Sequence, residues 1–345
     1  MLLIGSAMRE ALKNIMITII DGWWGSGKST LRGLLDGHSE LFVCPVQDSI
    51  LGGFSCDSNL NKWLVARDIV GFRKSLIGHA DYSRVERDAL KQSVFNTASG
   101  AEMDNGRFAL DFYELDRQLI RAVNDFEQWS IEEIVELYYQ KMASLWDDYP
   151  SGDFRGYVSM DNNCKGTAEF LLKNSDRAKY IWVDRDSAGI LSTHAKRKPL
   201  DGYAGTAGWG QMSVQQFIRE GEVRRIETKR MQIERLAKSY PDRVHIVSID
   251  TLVEETEAAM AQVSRFLGLK HEPILNRFTY CGQDFEGSDK YLGKMNDTPE
   301  SVFTHQEIEL IAAAVRRVRR LPIIDFELLR RVRRAVIGLR NGWIQ

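Results

Sequence analysis

One stretch, Thr18–Arg32 (TIIDGWWGSGKSTLR), limits what this chain can fold into more than any other. An apolar, β-branched run from Ile15 to Ile20 leads into a turn containing Gly22, Gly25 and Gly27, and Lys28-Ser29-Thr30 then opens a helical pattern. The order predicts a strand, a loop and a helix N-terminus. From Gly22 to Ser29 the spacing fulfils G-x4-G-K-[ST]. Glycines there let successive backbone N–H groups turn inward around an anion, and the lysine adds a full charge. The unpaired first amides of the helix and its dipole reinforce the same site. The bland alternative is a Gly-rich turn before an exposed lysine; the strand-to-helix context favours a phosphorylated or sulfated ligand. Which chemistry follows is open at this point.

At 345 residues the chain predicts one core domain with a large insertion or appendage. Its formal charge is −2, from 46 basic and 48 acidic residues, which gives no global electrostatic signature of nucleic-acid binding. Cys44, Cys56, Cys164 and Cys281 are widely spaced and accompany only six histidines, so they propose neither a zinc site nor a disulfide framework. The expectation is buried thiols in a reducing compartment. Met1–Ser6 is too short an apolar stretch for a signal-peptide core, and no later run approaches the roughly 18 residues of a membrane span. These readings predict a cytosolic protein that at most touches a membrane face peripherally.

Beyond the glycine loop, Ser29–Leu35 has helical spacing, ends at Asp36-Gly37, and precedes a short apolar run, Leu41-Phe42-Val43. A parallel strand there would deliver Gln47, Asp48 and Ser49 to the mouth of the sheet, where ligands of open α/β sheets lie. Asp48 is therefore either a site carboxylate or an N-cap for the segment from Ser49. Residues 55–155 read as an aromatic-rich helical insertion that supplies acceptor specificity, although any one aromatic at helical spacing is first a core residue. Residues 1–54 and 156–300 form the expected α/β core. In it GYVSM (Gly156–Met160), AKYIWV (Ala178–Val183) and VHIVSI (Val244–Ile249) read as buried parallel strands alternating with amphipathic helices. The charged stretch Ser213–Ser239 and the stretch Thr251–Leu267 each predict one helix. Asp184, Arg185 and Asp186 follow the second of these strands, and Ser192 and Thr193 lie about two helical turns on. Such a set can wrap an anion, or the arginine can simply pair with its flanking aspartates. Leu200–Gly210 reads as a mobile loop beside the site.

Residues 301–345 read as basic helices. Between Arg316 and Arg340 there are nine arginines, interleaved with Phe326, Leu329, Val332, Val336 and Leu339 at helical spacing. A helix of this kind can lie on an anionic membrane, meet an acidic glycan or other acidic partner, or dock on an acidic face of its own chain.

Several stretches in order, GSGKSTLRGLLDGHSELFVCP, NNCKGTAEFLL, KYIWVDRDSAGILST, YPDRVHIVSIDTLVEET with FLGL, and FEGSDK, resemble the sulfotransferases that use 3′-phosphoadenosine 5′-phosphosulfate (PAPS). The resemblance covers most of the chain outside the insertion and implies a P-loop-type parallel sheet flanked by helices. It implies that Gly25, Ser26, Gly27, Lys28, Ser29 and Thr30 hold the 5′-phosphosulfate of PAPS. It likewise assigns the 3′-phosphate to Arg185 and Thr193, with Ser192 beside them. Lys165 falls on the lysine of the family's K-T-P turn, and Ser288 on a serine of its late G-N-S-type turn. The product would be adenosine 3′,5′-bisphosphate, and the acceptor a saccharide or other small molecule. The sequence departs from the family in placing its lysine at Lys28 rather than before Ser-Gly, and Ser187 replaces the proline of R-D-P. Gln47 stands where a carboxylate is often found.

Sulfuryl transfer spreads charge over peripheral oxygens while nucleophile and leaving oxygen lie in line, so positioning and electrostatics dominate. Lys28 and the loop amides are the expected stabilisers, and Asp48 the expected general base, ahead of His38, whose DGHSE context reads as a structural turn. This scheme requires no metal. Two alternatives stay open. A P-loop kinase would bind Mg·ATP through Ser29 and an aspartate at a strand end, Asp184 or Asp250; a catalytically silent nucleotide-binding module would use the arginine-rich tail to recruit a partner.

Overall fold

A computed structural model describes residues 15–44, 112–124, 130–146, 154–160, 167–196, 212–284, 292 and 298–321. Its sheet has five strands: β1 (Met16–Gly22), β2 (Leu41–Val43), β3 (Gly156–Met160), β4 (Lys179–Asp184) and β5 (Val244–Ser248), in the order β2-β3-β1-β4-β5. Every pairing is parallel. The expected α/β architecture is therefore present. β1 is central, with Thr18 opposite Val158 on β3 and Lys179 on β4, so the strand that feeds the glycine loop is hydrogen-bonded on both edges.

The strands are almost wholly apolar because both faces of the sheet are covered. On one face Ile20, Val43, Val158, Ile181, Val183 and Val247 pack with Leu31, Leu34 and Leu35 of α1 (Lys28–Leu35). Leu252 and Val253 of α8 (Ile249–Glu254) and Met260, Val263 and Leu267 of α9 (Thr256–Leu267) complete that core. On the other face Tyr157 and Phe42 meet edge to face at 6.1 Å, and Tyr157 stacks on Tyr139 at 6.0 Å. Tyr139 comes from α3 (Ile131–Leu145), which follows α2 (Phe112–Asn124) and starts at a capping box of Ser130 and Glu133.

The remaining helices are α4 (Thr167–Asn174), α5 (Ser187–Lys196), α6 (Val214–Arg219), α7 (Glu222–Ser239) and α10 (His305–Arg320). Two expectations change. The charged stretch Ser213–Ser239 is two helices, because Gly221 takes a left-handed backbone (φ 81°) that ends α6 at Glu220 and restarts the chain as α7. The stretch expected to begin at Thr251 begins at Ile249 and breaks at Glu255 (φ −126°, ψ 44°), giving α8 and α9. Asp250 consequently sits in a first helical turn, its N–H donated to Ser248 Oγ at 3.2 Å, rather than at the end of a strand.

By internal contacts the chain separates into two compact units, Met1–Asp186 with Leu236–Asn296 and Ser187–Arg235 with Asp297–Gln345. The first holds the sheet, the glycine loop and Arg185. The second holds α5, α6, most of α7 and α10. No described helix is long and apolar enough to cross a membrane. The two described cysteines, Cys44 and Cys281, are buried thiols.

Candidate functional site: the glycine loop and Arg185

β1 ends in Asp21-Gly22, and the loop turns at once. Asp21 is fully buried; its Oδ1 accepts the Gly22 N–H at 2.7 Å and its Oδ2 accepts the Tyr180 hydroxyl at 2.6 Å. Ser26 N–H closes a turn onto the Trp23 carbonyl at 3.0 Å. Gly25 and Gly27 both have positive φ, 86° and 92°. At Gly27 the requirement for glycine is double, since an added Cβ would also stand 2.2 Å from Cδ1 of Ile249.

Gly27 is the N-cap of α1, and Lys28 is its first residue. No side chain caps this helix end and its first turn carries no acidic residue. The first amides of a helix lack intrahelical acceptors, so such an end attracts an anion through both hydrogen bonding and the dipole. Lys28 is only 7% exposed, and its Cγ lies 3.1 Å from where a Cβ on Gly22 would stand. Ser26 Oγ is buried and has no hydrogen-bond partner among the described residues. A buried hydroxyl left unpaired costs free energy, so its position in a loop of this geometry suits an exogenous acceptor. Ser29 Oγ lies 3.9 Å from Met160 Sδ, and Thr30 is buried with its N–H on the Gly27 carbonyl at 2.9 Å.

Arg185, the residue after β4, is 6% exposed and donates from a terminal guanidinium nitrogen to the Gly25 carbonyl at 2.9 Å. The sheet order accounts for this, because β4 lies beside β1 and both strands run toward the same end. A second cation thus reaches the loop across 160 residues of sequence. Asp184, the last residue of β4, accepts the indole N–H of Trp182 at 3.3 Å.

Ser192 and Thr193 lie on α5. Ser192 is fully buried and its hydroxyl donates to the Gly189 carbonyl at 2.8 Å, while Thr193 is half-buried and donates to the same carbonyl at 3.3 Å. His38 is a structural histidine. It is buried, its Nε2 is 2.8 Å from the Lys270 carbonyl and its Nδ1 accepts the Glu40 N–H at 3.1 Å. Those two bonds assign the neutral tautomer with the proton on Nε2.

Asp48, Gln47, Lys165, Ser288, the loop Leu200–Gly210, most of the insertion and the arginines beyond Arg320 lie outside the described residues. Among the described residues no cluster of His, Cys, Asp or Glu could hold a metal ion. Sequence reasoning missed the Asp21–Tyr180 pair. Its one signal was a lone acidic residue closing an apolar run, and its partner lies 159 residues away.

No protein-family model and no curated protein matches the chain. Among solved structures it is similar to the sulfotransferase domain of the Synechococcus PCC 7002 olefin synthase, at 14% identity and a TM-score of 0.43, over 87% of this chain and 94% of that one. It is similar to the sulfotransferase domain of the curacin biosynthetic pathway at 15% identity and a TM-score of 0.42, over 86% and 96% of the two chains. The sulfotransferase STF9 of Mycobacterium avium matches at 10% identity and a TM-score of 0.38, over 90% and 80%.

Proposed function

We propose that this chain is a sulfotransferase that moves a sulfuryl group from PAPS to a hydroxyl or amine of an acceptor, with a saccharide as the expected class. The observation that carries the reading is the Arg185 guanidinium bonded to the Gly25 carbonyl. A site for a single polyphosphate is complete with the loop amides and Lys28; a donor with phosphates at both 5′ and 3′ positions calls for a second buried cation at the loop. Burying a guanidinium is costly unless it is hydrogen-bonded, and phosphate oxygens accept short, charge-assisted hydrogen bonds from a guanidinium.

PAPS would supply a sulfuryl group activated by its anhydride bond to phosphate. Ser26, Gly27, Lys28, Ser29 and Thr30 would hold that end, with Lys28 and the α1 amides stabilising charge on the departing phosphate oxygen. Arg185 would hold the 3′-phosphate, and by resemblance Thr193 and Ser192 would contribute to it. The acceptor oxygen would form a bond to sulfur as the sulfur–oxygen bond to the phosphate breaks, and Asp48 would take the acceptor proton, a contribution of roughly 10²–10⁴-fold.

One observation favours a second reading. Lys28 and Ser29 open α1 in the order used by nucleoside-triphosphate loops, and Asp184 ends the strand next to β1. A kinase would therefore use Mg·ATP. Calorimetry with adenosine 3′,5′-bisphosphate and with Mg·ATP separates the two readings. Metal-free binding of the bisphosphate that is lost in Arg185→Ala supports the sulfotransferase; preference for Mg·ATP supports the kinase. Binding of neither removes both.

A further inference from the structure

The arginine-rich helix α10 (His305–Arg320) divides its charge between two sides. Arg319 turns inward: its Nε donates to Glu227 Oε2 at 2.7 Å and a terminal nitrogen donates to Glu234 Oε1 at 3.1 Å, both on α7. Glu227 is fully buried and also accepts the Ser187 hydroxyl at 2.6 Å and a guanidinium hydrogen bond from Arg230. Ile311 is the buried apolar residue of α10. Docking on an acidic face of its own chain, one of the three roles open to the arginine-rich stretch, thus takes up Arg319, one of the four arginines in the last turns of α10.

The opposite side of the helix is different. At about 100° per residue, positions 317 and 321 each fall within roughly 20° of position 310, on opposite sides of it, with 313 and 320 about 60° and 80° round and 319 about 180° away. Those positions are Leu310, Arg317, Leu321, Ala313 and Arg320, all exposed. Leu310 and Leu321, 44% and 49% exposed, are the exposed large hydrophobic side chains among the described residues. Arg316 lies at the edge of this face with Glu309 at 3.9 Å. Arg317, Arg320 and Leu321 thus give the end of α10 an exposed side that is both cationic and apolar, and Leu310 lies on the same side about two turns before Arg317. Beyond it the sequence adds Arg330, Arg331, Arg333, Arg334 and Arg340.

We infer that this face of α10 is a docking surface for an anionic lipid bilayer. The leucines would enter the headgroup boundary while the arginines meet lipid phosphates. An acidic protein would satisfy the arginines and leave the exposed leucines unexplained; a bilayer uses both. The inference rests on α10 alone, so it holds whichever nucleotide the glycine loop binds.

The test is co-sedimentation of the full chain with phosphatidylcholine vesicles, with and without phosphatidylglycerol. Binding is expected only to the vesicles that contain phosphatidylglycerol, weakening as salt rises. The Arg317→Gln/Arg320→Gln double variant should bind roughly 25-fold more weakly, about fivefold for each arginine. Leu310→Ser/Leu321→Ser should weaken binding as well. Arg265→Gln, an exposed arginine on α9, should leave it unchanged. Because the substituted side chains are exposed, thermal unfolding of all variants should match the parent. Equal binding to both vesicle types, no binding to either, or an effect of Arg265→Gln as large as that of the double variant would overturn the inference. The second of these results is what an acidic protein partner, or occupation of the face by residues 322–345, would give.

Discussion

Arg185 and Gly25, 160 positions apart, are joined by a 2.9 Å hydrogen bond from guanidinium to carbonyl, and the bond ties the end of β4 to the turn of the glycine loop. The carbonyl oxygens of such a loop must face away from an anion while its amides face toward it. An arginine that accepts the task of holding one carbonyl therefore orients the loop as well as adding charge. Arg185→Ala should weaken binding of adenosine 3′,5′-bisphosphate by about 10- to 100-fold, in line with the roughly 1.5–3 kcal/mol of a charged hydrogen bond. Arg185→Lys should recover part of the loss, because the charge returns without the planar fork. Titration calorimetry checks both, and equal affinity for all three proteins would contradict the assignment.

Gly27→Ala should be among the most damaging small substitutions in the chain. It meets a left-handed backbone, which costs about 1–2 kcal/mol for a side-chain-bearing residue, and a Cβ directed at Ile249. Overpacking adds roughly 1–3 kcal/mol. In a double-mutant cycle with Ile249→Ala the steric part should vanish and the backbone part remain. Urea denaturation would then give a destabilisation by the pair smaller than the sum of the single effects; strict additivity would mean that the two side chains do not meet.

Tyr180→Phe removes the hydroxyl that Asp21 accepts at 2.6 Å while keeping the ring in the core. The expected cost is about 1–3 kcal/mol, the range for depriving a buried group of a partner. Since the same carboxylate holds the Gly22 N–H, the variant should also show faster amide exchange at the start of the loop. Asp21→Asn, which keeps an acceptor for Gly22, should exchange more slowly than Asp21→Ala. Identical exchange in the two would remove Asp21 from the account of the loop.

A pH dependence follows from Glu136 on α3. Burial raises its carboxyl from 4.5 to about 8, against the opposing pull of Arg177, which donates to Oε1 at 2.5 Å. Among the described residues its other oxygen is buried without a hydrogen-bond partner, an environment that penalises the carboxylate more than the neutral acid. The folded state then binds more protons than the unfolded chain between these values, so this group's contribution is complete below pH 4.5 and is lost as pH rises through about 8. Glu136→Gln should match the parent near pH 5 and be the more stable protein at pH 9. Denaturation curves that stay parallel across that span would show that the carboxyl titrates normally.

Local signals made much of this molecule legible. The apolar runs at β1, β3, β4 and β5 announced buried parallel strands because both faces of the sheet are covered. The spacing of Gly22, Gly25, Gly27 and Lys28 announced a strand, a glycine turn and a helix start, because all three are short-range features. The splits at Gly221 and Glu255 were less legible, since a charged or apolar periodicity continues through a break that depends on the backbone of one residue.

The sequence by itself therefore determined the α/β class, the strand that carries the loop, and the residue types able to surround an anion. Only the tertiary structure decided the strand order, and with it which distant residues reach the loop. β4 beside β1 brings Tyr180 under the carboxylate of Asp21 and Arg185 onto the carbonyl of Gly25. It also decided that Arg319 of the arginine-rich helix is spent on Glu227 while Arg317 and Arg320 face out with Leu310 and Leu321. Contacts of this kind are made between segments separated by some 90 to 160 residues, and no pattern within one segment encodes what a second segment will place against it.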